Sequence, residues 1–266
     1  MDQKLSLFKL IPNIFTTMGM CAGLTGVRYA IDHNWKFAVT CILVASFFDL
    51  IDGLTARAFK ATSKFGAELD SLSDAISFGV APALVIFLWI SEGIPMSDNS
   101  QLLGWYWIPL LIYSSCAVLR LARYNVASIE KTNLRSGYFV GVPTPAASML
   151  LLLPILLEIN FVRLNLPFNK ELVITPVILW TLLISCMMVS TIPTFSIRSL
   201  KLKFSKNKSI FVLIIASLSA SLFIKESWIF LNSIILVYLL SIPVSLKILY
   251  FWFLHSFVPP GKSGNG

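Results

Sequence analysis

Eight apolar stretches follow one another along this chain, at about 12–31, 36–56, 72–91, 104–124, 142–162, 172–195, 209–224 and 228–250. Each is close to the roughly 20 residues of helix that cross a hydrocarbon core of ~30 Å. In lipid the backbone must satisfy its own polar groups, so runs of this length predict helices. With 56% of its 266 residues hydrophobic and 13% charged, the chain is too apolar for a soluble domain. The expected fold is an all-α integral membrane protein of about eight transmembrane helices.

The basic residues orient those helices, because cytoplasmic loops carry the excess of Lys and Arg. One set of loops holds Lys4, Lys9, Arg57, Lys60, Lys64, Arg120, Arg123, Lys131, Arg135, Arg198, Lys201, Lys203, Lys206, Lys208 and Lys262. The opposite set holds only Arg28, Lys36, Arg163, Lys170 and Lys225. Both termini are therefore expected in the cytoplasm of a multi-pass cell-membrane protein. The net charge of +8 reads as attraction to anionic headgroups, not as a nucleic-acid surface. The connector from Arg198 to Lys208 is expected to be a solvated loop at headgroup level.

No internal repeat and no separate polar domain is visible, so residues 1–266 are expected to form one membrane domain. Cys21, Cys41, Cys116 and Cys186 fall singly within apolar stretches, without the paired spacing of a zinc site or disulfide framework, and are expected to be packing residues. His33 and His255 sit at predicted boundaries, and Trp105, Tyr106 and Trp107 suit an interfacial belt.

Four aspartates interrupt this apolar background: Asp49, Asp52, Asp70 and Asp74. An aspartate at the centre of a membrane helix costs about 2.5–3.5 kcal/mol on insertion scales, so four demand compensation. Asp49 and Asp52 are three apart and Asp70 and Asp74 four apart, so each pair lies on one helix face. Arg57, Lys60 and Lys64 lie between the pairs, consistent with a short cytoplasmic turn joining two helices. Glu68 breaks the register of both pairs and is expected in the loop. Oxygen ligands without His or Cys favour magnesium or manganese, which typically clamp phosphate oxygens. Gly53, Ala56 and Gly66 leave room for a ligand, and Arg57 suits a bidentate phosphate contact. The bland alternative is a structural charge cluster of helix caps and ion pairs.

The segment DLIDGLTARAFKATSKFGAELDSLSD, residues 49–74, carries eight positions in fixed spacing. In this it resembles the CDP-alcohol phosphatidyltransferase family. PNIFTTMGMCAGL (Pro12 to Leu24), SFGVAPA (Ser77 to Ala83), RLARYN (Arg120 to Asn125) and GVPTPAA (Gly141 to Ala147) narrow the resemblance to the branch whose acceptor is L-serine. Gly19 stands where that pattern has a second Asn.

The resemblance implies a core of six helices, about residues 1–200, working as a homodimer, with two additional helices at about 209–250. It implies two divalent cations held by Asp49, Asp52, Asp70 and Asp74, with Asp74 also the general base. Asn13, Gly53, Ala56, Arg57, Ser63 and Gly66 would meet the CDP-lipid. Arg120 and Arg123, one turn apart, read either as headgroup anchors or as a clamp for the serine carboxylate, with Asn125 beside them. The implied reaction joins L-serine to CDP-diacylglycerol, giving phosphatidylserine and CMP. Other acceptors, glycerol 3-phosphate or an inositol phosphate, would call for a denser basic pocket. A divalent-cation transporter would place its acids near the midplane, on paired repeats.

Overall fold

The computed structural model describes residues 10–59, 61, 63–94, 100–129, 138–190, 193–195, 217–219 and 221–256. Its helices are α1 (Ile11–Ile31), α2 (Trp35–Ala58), α3 (Lys64–Asp74), α4 (Ala81–Glu92), α5 (Ser100–Ile129), α6 (Thr144–Leu151), α7 (Leu153–Arg163), α8 (Lys170–Val189) and α9 (Ser227–Ser256). A π-helical segment, Ala75–Val80, joins α3 to α4. The only strands among the described residues, β1 (Tyr138–Val140) and β2 (Pro193–Phe195), pair antiparallel over three residues each. The protein is an all-α membrane protein. Among the described residues four helices are long and apolar enough to span, Trp35–Ala58, Lys64–Glu92, Leu103–Ala127 and Lys170–Val189, or five if the pair α6 and α7, bent by 42°, is one span.

That count is short of the eight apolar stretches. The helix at 11–31 forms, but Asn13, Arg28 and its glycines and threonines dilute its apolarity. The stretch at 172–195 stops as a helix at Val189, and that at 209–224 lies largely outside the described residues. Also outside them are Lys4, Lys9, Lys60, Lys131, Arg135, Lys262, the connector from Arg198 to Lys208, and the side chain of His255.

The chain forms two compact units, one of Met1–Thr132 with Pro143–Val189, the other of Asn133–Val142 with Ser190–Gly266. In the second unit α9 packs on β2. Every candidate site residue belongs to the first.

Within the first unit α1 is the central packing element against α2, α3, the π segment and α4. Its buried face carries Gly19, Gly23, Gly26 and Ala30, small residues that let backbones approach closely. A Cβ at Gly23 would come within 2.9 Å of Ser77 Cα, and one at Gly26 within 2.9 Å of the Ala38 carbonyl. Gly23→Ala must therefore push α1 off the π segment. It is expected to cost about 1–3 kcal/mol, read as a lower thermal midpoint in detergent. Gly104→Ala, with nothing within 4 Å of the new methyl, is the control and should lower nothing.

Two prolines shape the interior by the same route. A proline cannot donate to the carbonyl four residues earlier. Pro82 thus leaves the Phe78 carbonyl without its helical donor, and the fully buried Tyr113 donates its hydroxyl there at 2.9 Å. Pro154 does the same to Leu150, whose carbonyl accepts the Trp180 indole N–H at 2.8 Å. Pro82 directly follows the π segment, at whose end the Ala81 N–H reaches back to the Ile76 carbonyl.

At the end of the helices remote from the aspartates, Lys170 sits between Glu92 and Glu158. It also lies over the rings of Trp35 (5.2 Å) and Trp89 (4.8 Å). Trp89 donates to Glu158, and His33, in a left-handed turn at φ 57°, places Nδ1 3.4 Å from Glu92. Lys170, half-buried at the start of α8, is therefore a counter-ion to Glu92 and Glu158. The four cysteines are free, as expected, but Cys21 and Cys186 are exposed instead of packed.

Candidate active site

Helices α2 and α3 carry the aspartates, and each is shaped to present them. In α2, Asp49, Gly53 and Arg57 recur at intervals of four, so they share a face with Asp52 and Ala56. The Arg57 guanidinium lies over Gly53, with Nη2 4.0 Å from where a Cβ would stand, and nothing else comes that near. Helix α3 begins at Ser63, whose Oγ accepts the Gly66 N–H at 2.9 Å as an N-cap. Gly66, Asp70 and Asp74 then follow at intervals of four along one face. Asn13 Oδ1 from α1 stands 3.0 Å from the Cβ position of Gly66, so Asn13, Ser63 and Gly66 are brought together. Asn13 is inside the first turn of α1, whose N-cap is Leu10. Glu68 is exposed as expected, but it is in α3 and not in a loop.

Three of the four aspartates converge. One carboxylate oxygen each of Asp49, Asp70 and Asp74 lies within 4.8 Å of the others. Asp52 is drawn aside, buried at 5% exposure, where its Oδ2 accepts the Thr16 hydroxyl at 2.7 Å. Its charge still acts on the other three. The donors in this group are carboxylate oxygens from two helices, with no imidazole or thiolate among them. Such a set fits a hard divalent cation, and the group is half-buried, so like charges are held where water screens them poorly.

The basic residues of α5 divide. Arg120 is buried at 8% exposure, and its charge acts on Asp74. Arg123 is exposed and donates to the Val189 carbonyl at 2.8 Å, at the end of α8, a favourable place for a cation. Asn125 is inside α5, which continues to Ile129, and it exchanges hydrogen bonds with Ser71 of α3 (2.9 and 3.2 Å). Of the three, only Arg120 is buried. Sequence reasoning passed over Thr16, Ser73 and Ser71, which hold the aspartate helices to α1 and α5. Their sole local signal is polarity on otherwise apolar faces.

A sequence model of the CDP-alcohol phosphatidyltransferase family matches residues 9–188. A CDP-diacylglycerol–serine O-phosphatidyltransferase of Mycobacterium tuberculosis is 37% identical over 155 residues, 58% of this chain and 51% of that protein. The chain thus matches about half the length of this mycobacterial relative. The Helicobacter pylori protein of the same name is 34% identical over 212 residues, 79% of this chain and 81% of the relative. An archaetidylserine synthase of Methanothermobacter thermautotrophicus is 33% identical over 150 residues, 56% of this chain and 58% of the relative.

Proposed function

The chain belongs to the CDP-alcohol phosphatidyltransferase family, and on that footing we propose that it transfers the phosphatidyl group of CDP-diacylglycerol to L-serine, giving phosphatidylserine and CMP. The observation that carries this reading is the convergence of Asp49, Asp70 and Asp74 beside the buried Arg120. Carboxylates suit cations that bind a pyrophosphate, and a desolvated guanidinium suits a carboxylate such as that of serine. The printed names of the relatives agree on serine as acceptor, for bacterial and archaeal lipids alike.

Asp74 takes the proton of the serine hydroxyl. The freed oxygen attacks the lipid-bearing phosphorus, the new O–P bond forms, and the O–P bond to CMP breaks on the opposite side, CMP carrying away the electron pair. Two divalent cations, magnesium or manganese, would be held by Asp49, Asp52, Asp70 and Asp74 and would supply charge stabilisation at the phosphate oxygens. Asn13, Gly53, Ala56, Arg57, Ser63 and Gly66 receive the nucleotide, the glycines by leaving space and Arg57 by its fork of donors. Arg120 orients the serine carboxylate, Arg123 fixes the end of α8, and Asn125 ties α5 to Ser71 of α3. Positioning and charge account for most of the rate, because phosphoryl transfer asks little else of the protein. The site faces the cytoplasm, both termini lie on that side, and the working unit is a homodimer.

An acceptor screen tests the reading. Purified protein with CDP-diacylglycerol and manganese should release CMP with L-serine and not with glycerol 3-phosphate or inositol phosphate. Release with a phosphorylated acceptor alone would keep the family chemistry and overturn the serine assignment.

A further inference from the structure

Resting on the metal-dependent reading above, one residue outside the aspartate segment governs where the fourth carboxylate stands. Thr16, in the second turn of α1, is buried at 5% exposure. Its Oγ1 lies 2.7 Å from Asp52 Oδ2 and 3.1 Å from the carbonyl of Pro12. One hydroxyl proton serves two acceptors, and the shorter contact is to the group able to carry charge, which makes the stronger bond. The Thr16 carbonyl in turn accepts the Ser73 hydroxyl at 3.0 Å, and Ser73 is the neighbour of Asp74. A single residue of α1 therefore grips both aspartate-bearing helices, one through its side chain and one through its backbone.

Asp52, at 5% exposure, is the least solvent-exposed of the four aspartates and the one outside the converged group. A buried carboxylate needs a donor, and threonine is stiff at χ1, so its hydroxyl stays where the backbone of α1 places it. We infer that Thr16 is a positioning residue for Asp52: its hydroxyl holds one carboxylate oxygen and thereby sets the placement of the fourth acidic ligand relative to Asp49, Asp70 and Asp74. In this role the Thr16 hydroxyl acts through Asp52.

Manganese binding to the full-length protein in detergent, without substrate, tests this when unbound Mn2+ is followed by electron paramagnetic resonance. Thr16→Val, nearly the same shape without the hydroxyl, should weaken Mn2+ binding by about 10–100-fold, the range typical of losing a partner that orients a metal ligand. Thr16→Ser should rescue it. In an Asp52→Asn background Thr16→Val should add nothing, whereas a general packing defect would add its own loss. Should Thr16→Val fail to yield folded protein, Thr16→Ala against Thr16→Ser decides by the same comparison. A folded hydroxyl-free variant that binds Mn2+ like wild type, or a loss that adds in the Asp52→Asn background, overturns the role of Thr16 and leaves the proposed reaction standing. Wild type that binds no Mn2+ overturns the metal reading itself, and this inference with it.

Discussion

Asp74→Asn is expected to reduce serine-dependent CMP release by about 10³-fold or more while the protein stays folded. The substitution keeps the shape of the side chain and removes both its charge and its capacity to take a proton. Loss of a general base alone is worth about 10²–10⁴-fold. Asp74 also belongs to the carboxylate group with Asp49 and Asp70, so the same change weakens whatever cation that group holds. The folded state should not suffer. Three like charges within 4.8 Å repel one another, and removing one relieves that repulsion. Thermal midpoints measured without metal should accordingly be equal to or above that of wild type. A purified Asp74→Asn protein that turns over within tenfold of wild type would remove Asp74 from the role of base.

Arg120→Met is expected to raise the serine KM by tenfold or more, with a smaller change in kcat. Arg120 is a guanidinium at 8% exposure whose charge acts on Asp74. Methionine fills much of the same volume, so the substitution tests charge more than packing. Removing a positive charge that acts on Asp74 leaves the like-charged carboxylates less compensated, so a lower thermal midpoint should accompany the kinetic change. The serine KM separates the two effects, because a purely structural loss scales down the active fraction and leaves KM alone. Arg123→Met is expected to raise KM less, since Arg123 is exposed and donates to the end of α8. Equal effects of the two substitutions would mean that serine is held by the pair and not chiefly by Arg120.

Much of the site was legible because helical periodicity is a local property. Intervals of three and four place Asp49, Asp52, Gly53, Ala56 and Arg57 on one face and Gly66, Asp70 and Asp74 on another, whatever the helices pack against. The carbonyl freed by Pro82 is legible for the same reason: a missing N–H frees a carbonyl wherever the helix lies. The identity of the group that fills the vacancy was not. Tyr113 is 35 residues from Phe78 in sequence, and nothing in either segment names the other. Glu68 was misplaced because the polar stretch between the aspartate pairs looks longer than the turn that exists. Ser63 caps α3, so the helix starts before Glu68.

The sequence by itself determined that the chain is helical and membrane-embedded, that four carboxylates occupy two helix faces, and that small residues leave room beside them. Backbone hydrogen bonding in lipid and the 3.6-residue turn compel those conclusions from neighbours alone. Only the tertiary structure decided that three aspartates converge while Asp52 is held by Thr16, and that Arg120 is buried while Arg123 closes the end of α8. Those choices depend on hydrogen bonds between residues 36 to 66 positions apart. Such contacts exist once helices have docked at a given depth and rotation, which no spacing within a single helix encodes.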